Sequence, residues 1–264
     1  MSVDPLRPDD LPTAPYAAVT VVESTASTNA DLVVAAGAGA ADRTVLLAER
    51  QTAGRGRRSR SWVSPPGTGI YLSVLYRPAG VPSTRLSWLT MLAGVALVRT
   101  ASWAGASAGL KWPNDLLLGP DRRKGAGVLA ERIDGAVVLG IGLNVAPLPS
   151  DVPLGPGGLA PTSLTEAGAT RLDRTDLAGR LLTELAALEG PWRESGGDPE
   201  AGGHSEYVGY CSTIGQQVRV ELPGRTLTGV ATGVGTDGSL AVRTEDGEDH
   251  TVSAGDVVHL RAVT

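Results

Sequence analysis

Residues 51–62 read QTAGRGRRSRSW and carry the densest positive charge in the chain. Five arginines fall within the eleven residues from Arg50 to Arg60, and no acidic residue lies among them. Gly54 and Gly56 interrupt the run, which makes a regular helix or strand unfavourable. Exposed main-chain N–H groups and forked guanidinium groups both suit a phosphate or carboxylate. The stretch therefore predicts an anion-binding loop, with a solvated basic loop or a nucleic-acid patch as alternatives.

The composition of the whole chain restricts that interpretation. The 264 residues carry a formal net charge of -5, so anion binding has to be local, and a general nucleic-acid coat is disfavoured. A single cysteine excludes an intrachain disulfide and fits a reducing cytoplasm. No apolar run approaches the roughly 18 residues of a membrane span, and the N-terminal 15 residues lack the apolar core of a signal peptide. The three histidines show no metal-ligand spacing.

Lysine is rare in this chain. Lys111 and Lys124 are the two lysines among 23 basic residues, and all the others are arginine. Since this chain uses arginine for its ordinary surface cations, the two lysines are candidates for positions that need a compact ammonium group. Chance survival of two surface lysines is the alternative.

Hydrophobic patterning predicts an α+β catalytic region. Thr28 and Asp31 stand at capping-box spacing and predict a helix that starts near Asn29. Residues 146–161 are rich in proline and glycine and predict an irregular loop. The remaining predicted elements are strands over 16–23, 44–51 and 70–77, a hairpin of 124–133 with 136–145, and helices over 83–104 and over 173–193, the last ending near Gly190–Pro191.

The pattern changes after Cys211. Short β-patterned runs recur at regular intervals with glycine-containing turns between them, which predicts a small β-barrel or sandwich. The expected organisation is a flexible proline-rich arm over residues 1–15, a catalytic domain over 16–210 and a β domain over 211–264.

The segment KWPND, residues 111–115, gathers a lysine, an amide and a carboxylate around one proline. Pro113 favours extended geometry at Trp112, so Lys111 is expected at a strand end. There it can neutralise phosphate charge, and Asp115 can hold a divalent cation or orient a ligand hydroxyl. A strand-end turn with an Asx motif is the alternative.

Two further segments, KGAG (residues 124–127) and GIGLN (residues 140–144), lie on the predicted hairpin. Lys124 either guards a loop edge or directs its charge into a cleft. Gly140 and Gly142 leave an open strand face that a flat ligand could approach, and Asn144 offers a donor and an acceptor to a base edge.

In this order and at these intervals, STN (27–29), QTAGRGRRSRSW, KWPND, KGAG and GIGLN closely resemble the biotin protein ligase family. The resemblance covers roughly residues 16–210, and the β-rich tail is similar to the family's small C-terminal SH3-like domain. It implies a mixed sheet flanked by helices, related to class II aminoacyl-tRNA synthetases. It also implies the monofunctional kind of ligase, without an N-terminal DNA-binding domain.

The resemblance implies a two-step reaction. Biotin and ATP, with Mg²⁺, give biotinyl-5′-AMP and pyrophosphate, and the biotinyl group passes to one lysine of a biotin carboxyl carrier domain of an acetyl-CoA or acyl-CoA carboxylase. A cytoplasmic monomer or ligand-promoted homodimer, with neither DNA nor membrane as a partner, is expected.

The same resemblance assigns roles to residues. Those expected at biotin are Ser27, Thr28, Asn29, Gln51, Gly54, Arg55, Gly56, Arg57 and Lys124. Those expected at ATP or the adenylate are Arg57, Arg58, Arg60, Trp62, Lys111, Asn114, Gly140, Gly142 and Asn144. The expected catalytic residues are Lys111, Lys124, Arg55 and Asp115, with Asp115 also positioning Mg²⁺ or the incoming lysine.

Two departures from the family pattern stand out. Ser59 replaces a frequent glycine and is expected to stiffen the loop. Gly125 replaces a bulkier apolar residue and is expected to loosen the wall near biotin. The competing functions are lipoate or octanoate attachment, and adenylate sensing or nucleic-acid binding without catalysis.

Overall fold

The computed structural model describes residues 4–222, 225–253 and 256–259, with no side-chain description for Ser59 and Asp256. A mixed sheet forms the larger part. Its strands are β1 (Ala18–Thr25), β2 (Thr44–Gln51), β3 (Gly69–Tyr76), β4 (Ala108–Lys111), β5 (Asp115–Leu118), β6 (Arg123–Ile133) and β7 (Ala136–Asn144). They lie in the order β1-β2-β3-β7-β6-β5-β4. The pair β1 and β2 is parallel, and the other neighbouring pairs are antiparallel.

Helices flank this sheet, as predicted. They are α1 (Thr28–Gly37), α2 (Trp88–Ala104), α3 (Arg174–Glu194) and α4 (His204–Tyr210). Helix α2 is apolar on nearly every side and is correspondingly buried almost throughout. No helix in the described part of the chain has the length and apolarity needed to cross a bilayer.

Helix α1 begins one residue earlier than predicted. Ser27 is the N-cap, with an extended backbone and a side chain that accepts a hydrogen bond from the Ala30 N–H at 3.5 Å. Thr28, the predicted cap, is the first helical residue. Its side chain points to the sheet instead, where Gln51 and Ser73 compete for its hydroxyl group.

The prediction that α3 ends near Gly190–Pro191 is wrong, because the helix continues to Glu194. Trp192 is fully buried beyond the proline. Arg193 forms ion pairs with Asp42 and with Glu189. This packing outweighs the cost of proline inside a helix, a cost that local sequence cannot set against tertiary contacts.

A second, antiparallel sheet follows Cys211, in agreement with the predicted β-rich tail. Its strands are β8 (Gln217–Leu222), β9 (Arg225–Val234), β10 (Leu240–Arg243), β11 (Asp249–Val252) and β12 (Asp256–His259), in the order β11-β10-β9-β8-β12. Residues 223–224, 254–255 and 260–264 of the predicted β domain lie outside the described residues.

The two sheets meet at the KWPND segment. Thr213 Oγ1 accepts a hydrogen bond from the Trp112 main-chain N–H at 3.0 Å, and the Trp112 indole donates to the Gly238 carbonyl at 2.9 Å. The fully buried Trp112 therefore fixes the end of β4 against the second sheet.

The proline-rich N-terminal segment packs against the mixed sheet from residue 4 onward. Leu6 and Leu11 are buried, and Arg7 forms an ion pair with the helix-capping Asp173 at 3.0 Å. Residues 1–3 of the expected arm lie outside the described residues. Composition alone does not predict this packing, because three charged residues and a proline separate the two leucines.

Candidate active site

A cavity of about 510 Å³ lies over one face of the mixed sheet. Three chain segments enclose it: the start of α1, the arginine-rich loop and the irregular loop of residues 148–161. The predicted site residues that line it are Ser27, Thr28, Asn29, Gln51, Arg55, Gly56, Arg57, Arg60, Trp62, Asn114, Lys124, Gly140, Gly142 and Asn144. Four other predicted site residues do not belong to the lining found among the described residues: Gly54, Arg58, Lys111 and Asp115.

One end of the cavity, the head, is polar. Gln51 Oε1 accepts a hydrogen bond from the Thr28 N–H at 2.9 Å, and Gln51 Nε2 donates to Ser64 Oγ at 3.0 Å. Asn29 Nδ2 donates to Glu131 Oε2 at 2.8 Å. The partners of these side chains lie on α1, on β6 and in the segment after the arginine-rich loop, so the head is pre-organised.

The predicted open strand face at Gly140 and Gly142 is filled by the protein itself. A Cβ on Gly140 would lie 2.1 Å from Asn29 Oδ1, and one on Gly142 would lie 2.4 Å from Trp62 Nε1. Gly127 pairs with Gly142 across β6 and β7, and a Cβ on Gly127 would likewise lie 3.3 Å from the Trp62 ring. The glycines therefore seat two side chains of the site, although both Gly140 and Gly142 also line the cavity.

The arginine-rich loop has a hairpin-like base. Arg55 and Ser61 form an antiparallel bridge, and the Trp62 N–H donates to the Gly54 carbonyl at 2.8 Å. A Cβ on Gly54 would lie 2.5 Å from the Trp62 carbonyl oxygen. Gly54 is thus required by the close crossing of the two stems. At the tip, Arg58 adopts a left-handed conformation with φ 52°.

The loop arginines contact three different elements. Arg57 Nη1 donates to Asn114 Oδ1 at 3.1 Å, and Asn114 Nδ2 in turn donates to a β6 carbonyl at 2.8 Å. Arg55 Nη1 lies 3.7 Å from Glu131 Oε1. Arg58 donates to the Glu221 carbonyl of β8 at 3.0 Å. The loop is therefore connected to both sheets.

Lys124 is the lysine that reaches the cavity. Its Nζ lies 2.6 Å from Asp115 Oδ1 and 5.6 Å from the centre of the Trp62 ring. Lys111 is buried at the end of β4, paired in register with Asp115. Its positive charge helps to depress the pKa of His259 on the second sheet.

Gly125 lies away from the cavity wall, so the expectation that it loosens the wall near biotin is wrong. It sits at a β-bulge where the register of β5 against β6 shifts. A Cβ on Gly125 would lie 2.2 Å from Leu118 Cδ1. Gly125 makes room for that core side chain, and a bulkier residue there would require Leu118 to move.

The irregular loop closes the apolar side of the cavity and returns to the sheet beside Lys124. The Lys124 N–H donates to the Ala160 carbonyl at 2.9 Å, and the Lys124 carbonyl accepts from Thr162 at 2.8 Å. Arg123 donates to the Pro161 carbonyl at 2.5 Å. Asn144, predicted at a base edge, donates to the Thr162 carbonyl at 2.9 Å.

Comparison with known proteins decides the family. The model of the Biotin/lipoate A/B protein ligase family matches residues 21–146, and the model of the Biotin protein ligase C terminal domain matches residues 213–260. A biotin--[acetyl-CoA-carboxylase] ligase of Mycobacterium tuberculosis is 43% identical over 247 residues, which are 91% of this chain and 88% of that relative. The chain belongs to the biotin protein ligase family.

Other relatives agree with this assignment. The bifunctional ligase/repressor BirA of Escherichia coli is 33% identical over 76% of this chain and 61% of its own length. A solved structure titled biotin protein ligase from Aquifex aeolicus in complex with biotin and ATP has a TM-score of 0.76, covers 94% of this chain and 100% of its own, and is 24% identical. At that identity the likeness bears on the fold, which it confirms.

Several residues of this ligase site are absent from the sequence-based prediction. Ser73 lies beneath Thr28 and Asn29, Glu131 holds Asn29 and faces Arg55, and Arg123 holds Pro161. The sequence contained an indication for Ser73, because a serine inside the apolar strand GIYLSVLY needs a hydrogen-bond partner once the strand is buried. It contained none for Arg123 and Glu131, since charged residues at strand ends and on half-buried strands are common.

Proposed function

We propose that the protein is a biotin ligase that acts on a biotin carboxyl carrier domain of an acetyl-CoA or acyl-CoA carboxylase. In the first step a carboxylate oxygen of biotin attacks the α-phosphorus of ATP, which forms biotinyl-5′-AMP and releases pyrophosphate. In the second step the neutral ε-amine of a carrier lysine attacks the mixed-anhydride carbonyl, loses its proton and releases AMP.

The observation that carries this proposal is that polar, cationic and apolar residues line one cavity. A polar head of Thr28 and Gln51 suits the ureido ring. Lys124 and Arg57 add positive charge to the same lining, to which Gly140 and Gly142 of β7 also belong. The side formed by residues 148–161 is mainly apolar and suits a base or an acyl chain. The cavity would thus offer polar groups to the acid, positive charge to the phosphates and an apolar wall to the base.

In the proposal, the cations offset the repulsion between a carboxylate and a triphosphate. Lys124 would bind the negative charge of the substrates, either in place of Asp115 or together with it. Arg57, which donates to Asn114, would face the phosphates. Fixed donors directed at a developing charge contribute about 2.7–4 kcal/mol each in favourable sites. Asp115 would set the resting position of Lys124.

Mg²⁺ enters the proposal as part of the MgATP substrate. No cluster of three or more His, Cys, Asp or Glu residues within the described ranges could hold a metal ion, and Asp115 is already paired with Lys124. Magnesium is commonly held by phosphates, waters and one or two carboxylates. The role of Asp115 as a magnesium ligand therefore stays a prediction, and no step depends on it.

The finer expectations belong to this proposal as well. A cytoplasmic location agrees with a chain that has a single, buried cysteine. The carrier domain would be the protein partner, without DNA, and the enzyme would be a monomer or a ligand-promoted homodimer.

Pyrophosphate release tests the proposal. The purified chain is incubated with MgATP and either biotin, lipoate or octanoate, and with no acid as the blank. We expect release that depends on biotin, followed by biotin transfer to a carrier domain. Release supported by lipoate and absent with biotin would favour the lipoate alternative, for which the polar head offers no rationale. Absence of release with every acid would favour a binding module.

A further inference from the structure

Ser73 lies in the middle of β3, fully buried beneath the cavity. Its Oγ is 2.7 Å from Thr28 Oγ1 and 2.6 Å from Asn29 Oδ1. Both partners line the cavity, and Ser73 lies behind them. Any effect of Ser73 on a ligand therefore passes through these two side chains.

Counting protons fixes the direction of these hydrogen bonds. Asn29 Nδ2 donates to a Glu131 carboxylate oxygen and, at 3.3 Å, to the Leu129 carbonyl, which both accept only. Asn29 Oδ1 therefore faces Ser73 and takes the one proton of that hydroxyl. The 2.7 Å contact with Thr28 then requires the Thr28 hydroxyl to donate to Ser73 Oγ. Thr28 Oγ1 is left with accepting capacity alone.

The orientation of Gln51 follows from its own partners. Its Oε1 faces the Thr28 N–H, and its Nε2 donates one proton to Ser64 Oγ. A second N–H of the same amide group is left over. An acceptor on Thr28 and a donor on Gln51 thus stand side by side at the head of the cavity. A cyclic urea, in which an N–H adjoins a carbonyl oxygen, presents the complementary pair.

We propose that Ser73 is a positioning residue that selects acids with a ureido ring. By committing its proton to Asn29, it makes Thr28 an acceptor beside the Gln51 donor. Without this hydroxyl, the Thr28 proton turns to Gln51 Oε1, 3.2 Å away, and Asn29 Oδ1 loses a buried partner. The inference rests on the proposed function, in which the acid is biotin.

The test compares Ser73→Ala with Thr100→Val in the full chain. Thr100 is equally buried, donates to the Ala96 carbonyl inside α2 and stands apart from the cavity. Pyrophosphate release is measured against biotin at saturating MgATP, and against MgATP at saturating biotin. Ser73→Ala should raise the KM for biotin by about tenfold or more and leave the KM for MgATP unchanged. Thr100→Val should change neither.

A second probe tests the polarity directly. In 2-iminobiotin a protonated C=N–H group replaces the ureido carbonyl, so an acceptor becomes a donor. The wild-type enzyme should strongly prefer biotin, and Ser73→Ala should narrow this preference. Ser73→Cys keeps a weak donor, so its preference for biotin over 2-iminobiotin should lie between those of the wild type and Ser73→Ala. This variant replaces Ser73→Ala in the test if the alanine variant fails to fold.

Three results would overturn the inference: an unchanged KM for biotin in Ser73→Ala, an equal rise in both KM values, or a wild-type enzyme that accepts 2-iminobiotin as readily as biotin. The last needs no variant. Absence of biotin-dependent release by the wild-type enzyme would instead overturn the proposed function itself, so the two failures are distinguishable.

Discussion

Lys124 is the residue on which the proposed chemistry depends most. It is held by Asp115 at 2.6 Å and lies below the Trp62 ring, at the edge of a strand that also anchors the irregular loop. Lys124→Met should lower the rate of pyrophosphate release by about 10²–10³, because a fixed cation at the developing charge is lost. The rate is measured at saturating biotin and MgATP.

A control separates this effect from a loss of folding. Lys124→Met leaves a nearly buried Asp115 without its cation, which by itself destabilises the fold. The double variant with Asp115→Asn should recover thermal stability without recovering the rate. Near wild-type turnover in either variant would mean that Lys124 has no catalytic role and only occupies the strand end beside the irregular loop.

At the scale of residues, sequence predicted the lining of the cavity better than the packing around its glycines. Of the unusual residue types, Lys124 and three arginines of the run line the cavity, whereas Lys111 is buried at the end of β4 outside this lining. The glycines misled in detail, because Gly125 faces Leu118 and Gly140 faces Asn29. The side chain that fills the space beside a glycine comes from another element, α1 for Gly140 and β5 for Gly125, and the pattern around the glycine does not record it.

At the scale of elements, the arginine-rich loop is expected to become more protected when its ligands bind. Arg58 and Arg60 at its tip are exposed, and Arg57 is half-buried and donates to Asn114. Anion binding would add charge-assisted contacts and reduce local opening. Trypsin cleavage in this loop, followed by mass spectrometry, should slow sharply with biotin and MgATP present.

The matched comparison for this prediction is the exposed Arg122, on the β5–β6 turn outside the cavity. Cleavage there should proceed at the same rate with and without ligands. Equal cleavage of the arginine-rich loop in both conditions would contradict ligand-dependent ordering.

Arg123 is expected to position the irregular loop. Its guanidinium donates to the Pro161 carbonyl and lies 3.7 Å from Glu166, so it holds the end of a loop that lines the cavity. Arg123→Gln should raise the KM for MgATP about tenfold, in line with loss of a charged hydrogen bond worth roughly 1.5–3 kcal/mol. The KM for biotin should change little, because the polar head is built on other elements.

Its neighbour provides the control. Arg122 donates to Ser212 Oγ at 3.2 Å, on the side of the second sheet. Arg122→Gln should leave the KM for MgATP unchanged. If both variants raise the KM for MgATP equally, the cause is the positive charge of the turn and not the hydrogen bond from Arg123 to the Pro161 carbonyl.

The sequence predicted helices and strands where the hydrophobic periodicity is strong. It did not predict the order of the strands in the sheet. The β6–β7 hairpin follows from two apolar runs around Asp134–Gly135, whose left-handed φ angles of 42° and 78° suit a tight turn. The order that places β7 between β3 and β6 depends on long-range pairing, which alternation alone leaves open. The extension of α3 beyond Pro191 is a tertiary effect of the same kind.

At the scale of the whole molecule, the second sheet contacts the two loops that enclose the cavity. It receives Arg58 of the arginine-rich loop on the Glu221 carbonyl, and its Val258 packs against Gly157 of the irregular loop. Trp112 fixes the KWPND segment to it. Sequence predicted a separate β-rich tail, but not that this sheet would contact both loops of the cavity.

His259 on β12 makes this contact sensitive to pH. Burial lowers its pKa from 6.5 to about 4, and the charge of Lys111 acts in the same direction. Thr213 Oγ1 accepts from the Trp112 N–H, so its proton is available to His259 Nε2 at 3.0 Å. The neutral imidazole is therefore the form that the folded protein holds.

The sign of the effect on stability follows from this shift. Between pH 6.5 and about 4, the unfolded chain binds a proton at His259 and the folded protein does not. Stability from this group is therefore complete above pH 6.5 and is lost as the pH falls towards 4. Urea unfolding at a series of pH values should show a steeper decline for the wild type than for His259→Gln over this interval. An NMR titration that places the imidazole of the folded protein near 6.5 would contradict the prediction, since no free energy would then link protonation of this residue to the contact between the two sheets.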